Sequence, residues 1–125
     1  GKKVPLYGDG GNIRDWIHVE DHNIAAHLVL QKGEVGQVYN IGAHNEITNR
    51  EITYRLLALC GRDESSITPV ADRLGHDRRY SVHIDKLSAL GWTLSRTFED
   101  SLAETVEWYR DNRAWWEPLK ARAGL

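Results

Sequence analysis

Four arginine side chains in this sequence could bind an anion, and they lie in two separate parts of the chain. Arg14 interrupts an otherwise apolar stretch, whereas Arg73, Arg78 and Arg79 concentrate positive charge around His76. A guanidinium group carries a planar set of N–H donors that matches the oxygens of a phosphate. These residues therefore predict a phosphate-binding loop.

Ordinary ion pairing is the competing interpretation of the same arginines. Four aspartates lie close to them in the sequence, namely Asp9, Asp15, Asp72 and Asp77. Exposed Arg–Asp pairs are common on protein surfaces and contribute little. On the residues alone, anion binding and ion pairing both stay open.

The glycine-rich residues 8–11 do not predict a dinucleotide site. A dinucleotide turn lies between a strand and a helix, so that the helix N-terminus faces the pyrophosphate. Here the glycines lead into a second β-like run. A tight turn between two strands is the better interpretation.

Metal binding and nucleophilic catalysis are also not favoured. His18, Asp21, His22 and His27 lie near one another in sequence, but there is no cysteine pair, and capping or surface roles explain each residue. Cys60 follows an apolar run, where we expect a buried thiol that behaves as a small hydrophobe.

Composition limits the protein to one ordinary domain. The chain has 125 residues, of which 41% are hydrophobic and 27% charged, as is typical of globular proteins. A net charge of -2 gives no general attraction to nucleic acid or to a membrane surface. The single cysteine fits a cytoplasmic location, and the absence of any methionine suggests a fragment.

Four short strands are predicted from β-branched and aromatic residues between turn signals. They cover residues 4–7, 13–19, 36–41 and 67–70, and residues 8–12 form the turn between the first two. Strands in this irregular order with helices indicate a small mixed α/β domain. They are too few and too scattered for a complete doubly wound sheet.

Four helices are predicted from residues that favour helix N-termini: Asp21, Thr48, Asp85 and Thr97. The sequence Thr48 to Glu51 matches the capping box. Glycines are expected to end the first three helices, at positions 33, 61 and 91. The last helix is amphipathic through Leu102, Val106 and Tyr109, and we expect the chain from Trp115 onward to fray.

Three segments of the sequence, taken in order, resemble one known family. PLYGDGGNIRDW, YNIGAHNEITN and ADRLGHDRRY are similar to the C-terminal, sugar-nucleotide-binding portion of the dTDP-glucose 4,6-dehydratases. The first two patterns recur across the extended short-chain dehydrogenase/reductase superfamily. GHDRRY together with HNE points to the dehydratases, and the resemblance spans essentially the whole chain.

This resemblance implies a set of substrate-binding residues. Two would lie beside the nucleotide, Pro5 and Tyr7, and four would surround the diphosphate and base, namely Arg14, Asn49, Arg73 and His76. Helix capping is the competing role for Asn49, and a half-buried strand aromatic is the competing role for Tyr7. Leu74 and Ala43 depart from the family, which commonly has Pro and Gly there.

The resemblance also implies what lies elsewhere in the intact enzyme. Residues 1–125 would be the C-terminal part of an extended short-chain dehydrogenase fold without its Rossmann core. The NAD-binding turn and the catalytic residues would belong upstream, so the chain alone is expected to bind a dTDP-sugar, to bind no NAD and to be inactive. Its partners would be the N-terminal Rossmann half and, in a homo-oligomer, further copies.

Two alternatives stay open at this point. One is a fragment of a related UDP-sugar epimerase or decarboxylase, which would prefer uridine to thymidine nucleotides. The other is a non-catalytic module that associates with itself through unpaired strand edges.

Overall fold

Short strands and longer helices succeed one another along residues 2–123, the part of the chain that the computed structural model describes. In chain order they are β1 (Val4–Tyr7), β2 (Ile13–Asp15), α1 (Val19–Lys32), β3 (Glu46–Thr48), α2 (Asn49–Leu59), β4 (Ile67–Val70), α3 (Asp85–Ser88), α4 (Phe98–Asp111) and α5 (Arg113–Arg122). A single 3₁₀ turn, Glu64–Ser66, precedes β4. None of the described helices has the length and apolar character needed to cross a bilayer.

The four strands form two small sheets that share no strand. β1 pairs with β4 in parallel, with Tyr7 opposite Val70. β2 pairs with β3 in the antiparallel direction, with Ile13 opposite Thr48. An isolated bridge from Ile13 to Arg79 ties the β4–α3 loop (residues 71–84) to β2. The predicted mixed α/β fold is confirmed.

Polar caps fix the starts of α2 and α4 as the sequence predicts. The hydroxyl of Thr48 accepts the backbone N–H of Glu51 at 3.1 Å, and Thr97 accepts that of Asp100 at 3.1 Å. The reciprocal half of the capping box is not formed, because the Glu51 carboxylate pairs with Arg55 instead. Gly61, with φ of 64°, follows α2 in the left-handed conformation.

The core lies between α1 and the segment around α3. Its buried side chains are Ala25, Ile84, Leu87 and Trp92, against which Ile17, Leu28, Val29 and Ile41 pack. A buried carboxylate joins α1 to the start of α4, since Asp21 accepts the hydroxyl of Ser95 at 2.6 Å. The prediction that Asp21 caps α1 is wrong, because His18 occupies that position and accepts the N–H of Glu20.

Two of the predicted strands differ from the structure. The strand predicted over residues 13–19 ends at Asp15, because its partner β3 begins at Glu46 and the chain turns into α1 at Val19. Residues 36–41 form no strand within the described chain. A strand exists only through hydrogen bonds to a neighbour, so an extended sequence without a neighbour is not one.

Three further local predictions are wrong. The short helix α3 begins at Asp85 without a side-chain cap and ends at Ser88, before Gly91. Up to residue 123, where the described chain ends, the segment after Trp115 does not fray, because Arg113–Arg122 forms α5. Cys60 is exposed, since it lies just past the last turn of α2.

Candidate functional site

The candidate site is built around β2 and the carbonyl oxygen of Asp77. Arg14 on β2 donates a guanidinium N–H to that carbonyl at 3.0 Å, and Asn12 donates its side-chain amide to it at 3.1 Å. The backbone continues the attachment, because Ile13 donates to the carbonyl of Arg78 and Tyr80 donates to Ile13. The β4–α3 loop is therefore held along β2 where the predicted anion-binding residues lie.

Tyr80 lies beside Arg14, one of the residues that the family resemblance places around the diphosphate and base. The guanidinium carbon of Arg14 lies 4.1 Å from the centre of the Tyr80 ring. The pKa of Tyr80 is raised, chiefly because its hydroxyl donates to Asp77, and the charges of Arg14 and Arg73 act in the opposite direction. Tyr80 thus joins Arg14 on β2 to Asp77 in the β4–α3 loop.

His76 connects the loop to β1. Its Nδ1 lies 2.6 Å from a carboxylate oxygen of Asp72, and its ring meets Tyr7 edge to face at 6.4 Å between centres. The hydrogen bond to His76 lowers the pKa of Asp72. Tyr7 itself is 45% exposed, so its competing role as a half-buried strand residue is only partly met. Part of Tyr7 is therefore open to solvent.

The arginines of the site divide into two classes. Arg78 binds both carboxylate oxygens of Asp9, and Arg79 pairs with Glu46. Within residues 2–123, the guanidinium groups of Arg14 and Arg73 have no carboxylate partner, and Arg73 makes no side-chain hydrogen bond. Ion pairing therefore accounts for two of the four arginines and leaves the other two available.

Pro5 and Asn49 occupy the margins of this site. Pro5 is exposed on β1, two residues before Tyr7, and therefore faces the same side of that strand. Asn49 opens α2, and its backbone N–H donates to the carbonyl of Asn12 at 2.9 Å. Capping is not the role of Asn49, because Thr48 caps the helix. The Asn49 side chain has no hydrogen bond within the described chain.

Three residues shape the site in ways that the sequence analysis did not predict. Asn12 is 2% exposed, and its Oδ1 has no partner among the described residues. Tyr80 stands within the GHDRRY motif, but only its contact with Arg14 reveals its part in the site. Asp15 accepts backbone N–H groups instead of pairing with an arginine. A buried Asn in a glycine-rich turn carries no sequence signal that could have identified it.

The described residues show neither a glycine-rich turn that leads into a helix nor a cluster of metal-ligating side chains. The turn at residues 8–12 leads into β2, so it presents no helix N-terminus to a pyrophosphate. Among residues 2–123, no three His, Cys, Asp or Glu side chains come together as a metal site would require. The chemistry that this surface supports is the binding of an anion next to exposed aromatic rings.

A separate groove of about 720 Å³ lies between α2 and α4. The predicted apolar face of α4 lines it through Leu102, Val106 and Tyr109, opposite Ile52 and Leu56. None of the six candidate substrate-binding residues lines this groove. The candidate site is instead an open surface along β1, β2 and the β4–α3 loop.

Comparison with known proteins places the chain among nucleotide-sugar enzymes. The GDP-mannose 4,6-dehydratase family matches residues 1–105. A dTDP-glucose 4,6-dehydratase of Streptomyces antibioticus is 51% identical over 123 residues, and that of Escherichia coli is 45% identical over 131 residues. These matches cover 98% of this chain in each case.

Solved structures show the same relationship. DesIV, a dTDP-glucose 4,6-dehydratase from Streptomyces venezuelae with NAD and TYD bound, matches 94% of this chain with a TM-score of 0.90 and 51% identity. A UDP-glucose 4-epimerase from Thermotoga maritima with UDP-glucose matches 87% with a TM-score of 0.77 and 31% identity. The chain spans about 37% of the length of DesIV and of the S. antibioticus enzyme.

Proposed function

The chain belongs to the GDP-mannose 4,6-dehydratase family, and on that premise we propose that it is the substrate-binding part of a dTDP-glucose 4,6-dehydratase. The intact enzyme would convert dTDP-glucose to dTDP-4-keto-6-deoxyglucose and water with NAD. The similarity to enzymes of that name over nearly the whole chain supports this choice of substrate. NAD and the catalytic groups would be held by parts of the enzyme outside this chain.

One observation carries the proposal: neither Arg14 nor Arg73 has a carboxylate partner in the described chain, whereas Arg78 and Arg79 do. A guanidinium group left without a counter-ion on a protein surface is well suited to phosphate oxygens. In the proposed complex, these two side chains neutralise the diphosphate. They fix the nucleotide, so that the sugar is held in place for reaction elsewhere in the enzyme.

The thymidine end would lie toward β1. Tyr7 offers an exposed aromatic face for the base, with Pro5 beside it on the same side of the strand. His76, held by Asp72, lies against Tyr7 and would donate to the nucleotide. Asn49 would complete the set with an amide that no described residue engages.

The remainder of the dehydratase is the proposed partner of this chain. Residues 36–41 form no strand in the described chain, and apolar side chains near them are open to solvent, with Leu30 82%, Val35 99% and Val38 78% exposed. Surfaces of this kind mark protein interfaces. We expect the N-terminal Rossmann half to cover this surface; the homo-oligomer and the cytoplasmic location stay predictions.

Calorimetric titration of the chain with dTDP and with UDP tests the proposal. We expect saturable binding of dTDP and weaker binding of UDP. A preference for UDP would favour the epimerase alternative, which the similarity to the T. maritima enzyme keeps open. Absence of binding to either nucleotide, combined with concentration-dependent oligomers in light scattering, would favour the self-associating module.

Incubation with dTDP-glucose and NAD tests the second part of the proposal. We expect no product from the chain alone, because NAD and the catalytic groups would be held by parts of the enzyme outside this chain. Formation of the 4-keto-6-deoxy product by the chain alone would refute the assignment of catalysis to other parts of the enzyme.

A further inference from the structure

Asp9 and Arg78 form a two-pronged ion pair between two irregular segments. The carboxylate oxygens of Asp9 accept from the two terminal nitrogens of Arg78 at 2.9 Å and 3.2 Å. Asp9 belongs to the turn between β1 and β2, and Arg78 lies 69 residues later in the β4–α3 loop. The pair therefore links the two loops that carry the candidate substrate residues.

The ion pair of Asp9 and Arg78 packs closely against the backbone of Gly11. The backbone N–H of Gly11 donates to the same Asp9 carboxylate at 2.8 Å. A Cβ atom at Gly11 would lie 2.4 Å from a terminal nitrogen of Arg78, so any side chain at this position would displace the guanidinium group. The guanidinium group thus rests directly on the Gly11 backbone.

A second close approach joins the same two segments. A Cβ atom at Gly8 would lie 2.9 Å from a carboxylate oxygen of Asp72, the residue that holds His76. Backbone hydrogen bonds also hold the chain on either side of residues 71–77. Gly8 donates to the carbonyl of Val70, and Ile13 donates to that of Arg78. Between these ties lie Arg73 and His76.

We propose that Asp9 and Arg78 are positioning residues, whose ion pair fixes the distance from Tyr7 to the loop that carries Arg73 and His76. This inference rests on the proposed function, because its consequence is the affinity for the nucleotide diphosphate. Neither Asp9 nor Arg78 contacts the ligand. They act by holding the loop in the conformation that the ligand binds, which lowers the cost of ordering it on binding.

A direct phosphate-binding role for Arg78 predicts the opposite change in nucleotide affinity when Asp9 is substituted. If Arg78 were itself a phosphate-binding group, Asp9 would compete with the ligand for its guanidinium. Substitution of Asp9 by Asn would then release Arg78 and strengthen nucleotide binding. If the pair only positions the loop, the same substitution weakens binding.

Calorimetric titration of dTDP into Asp9→Asn, Arg78→Gln and the double variant separates these roles. Because the pair is exposed, we expect each single variant to bind about two- to five-fold more weakly. The double variant would bind no more weakly than either single one, since both changes break the same contact. Glu117→Gln, which removes an exposed pair with Arg113 on α5, serves as the control with unchanged affinity.

Hydrogen exchange supplies a readout that needs no ligand. The amides of Ile13 and Tyr80, which bond to the loop and to β2, are expected to exchange faster in Asp9→Asn than in the unmodified chain. Unchanged or tighter dTDP binding in Asp9→Asn would overturn the inference, as would weaker binding with unchanged exchange. Failure of the unmodified chain to bind dTDP would instead overturn the proposed function, and this inference with it.

Discussion

The carboxylate of Asp15 holds the backbone N–H of Asn45 at 2.8 Å, and its second oxygen accepts that of Ala43 at 2.9 Å. Between them lies His44, whose φ of 56° is rare outside glycine. Asp15 therefore stabilises a strained turn that leads into β3. Because Asp15 adjoins Arg14, the same contact fixes the strand that carries one of the two available arginines.

Substitution of Asp15 by Asn is expected to destabilise the fold. An amide has one accepting oxygen and presents an NH₂ group to backbone donors, so it leaves at least one N–H unpaired, at a cost of about 1–3 kcal/mol. Urea unfolding measures the free energy of unfolding of each variant. Asp85→Asn, an exposed site without a capping bond, is the control, and an equal loss in both variants would contradict the role of Asp15.

Substitutions of Arg73 and Arg14 are both expected to weaken dTDP binding, but only that of Arg14 is expected to lower stability as well. Arg73→Gln removes no side-chain hydrogen bond or ion pair of the described residues, so we expect unchanged thermal stability and about 10- to 100-fold weaker dTDP binding, the equivalent of about 1.5–3 kcal/mol. Arg14→Gln would weaken binding and also lower stability, because Arg14 donates to Asp77 and covers Tyr80. The exposed Arg122 supplies a control in Arg122→Gln. Wild-type affinity in Arg73→Gln would remove Arg73 from the site.

Asp9 is expected to titrate far below an ordinary aspartate. Hydrogen bonds from Arg78 and then from Gly11 lower its pKa from 3.8 to about 2. Because the folded pKa is the lower one, the pair stabilises the fold above pH 3.8, and this stabilisation is lost as the pH falls toward 2. Carboxyl NMR titration measures the pKa, which would return toward 3.8 in Arg78→Gln. An unchanged low pKa in that variant would contradict the pairing.

Gly11→Ala is expected to displace Arg78 and so reproduce the effect of losing it. The added methyl group would lie 2.4 Å from the guanidinium nitrogen, so the side chain must move. In an Arg78→Ala background, the same substitution meets no guanidinium and would have little further effect on dTDP binding. Equal effects of Gly11→Ala in both backgrounds would show that the glycine is needed for another reason.

Two leucines of the chain are expected to differ strongly in their contribution to stability. Leu87 is fully buried in the core, and Leu87→Ala would lower the free energy of unfolding by about 2–5 kcal/mol. Leu74 is fully exposed on the β4–α3 loop, so Leu74→Ala would change it by less than about 0.5 kcal/mol. Denaturant unfolding compares them, and similar losses would contradict the location of the core.

Local signals in the sequence predicted much of the fold. The caps at Thr48 and Thr97 and the end of α2 near Gly61 were predicted because backbone groups at helix ends are satisfied by neighbours a few residues away. The strand at residues 36–41 could not be decided in this way. Strand formation depends on a partner that is distant in sequence, or outside the described chain.

The sequence predicted that the arginines could bind an anion, but not which of them form ion pairs. Arginine chemistry indicated anion binding, and the family resemblance selected Arg14 and Arg73. Which arginines are neutralised depends on contacts across 69 residues, as between Asp9 and Arg78, and no short pattern encodes such a distance. The assignment of the six residues to a substrate stays a prediction.

The contact between the guanidinium of Arg78 and Gly11 is expected to make positions 9, 11 and 78 vary together in evolution. Gly11 lacks the positive φ that favours glycine, and the three atoms nearest to a Cβ there all belong to Arg78, so a larger residue would have to displace this guanidinium. Across descendants of a common ancestor, replacement of Arg78 by a shorter residue would free position 11 to accept larger residues and position 9 to lose its acid. Aligned sequences are therefore expected to show these three positions changing together.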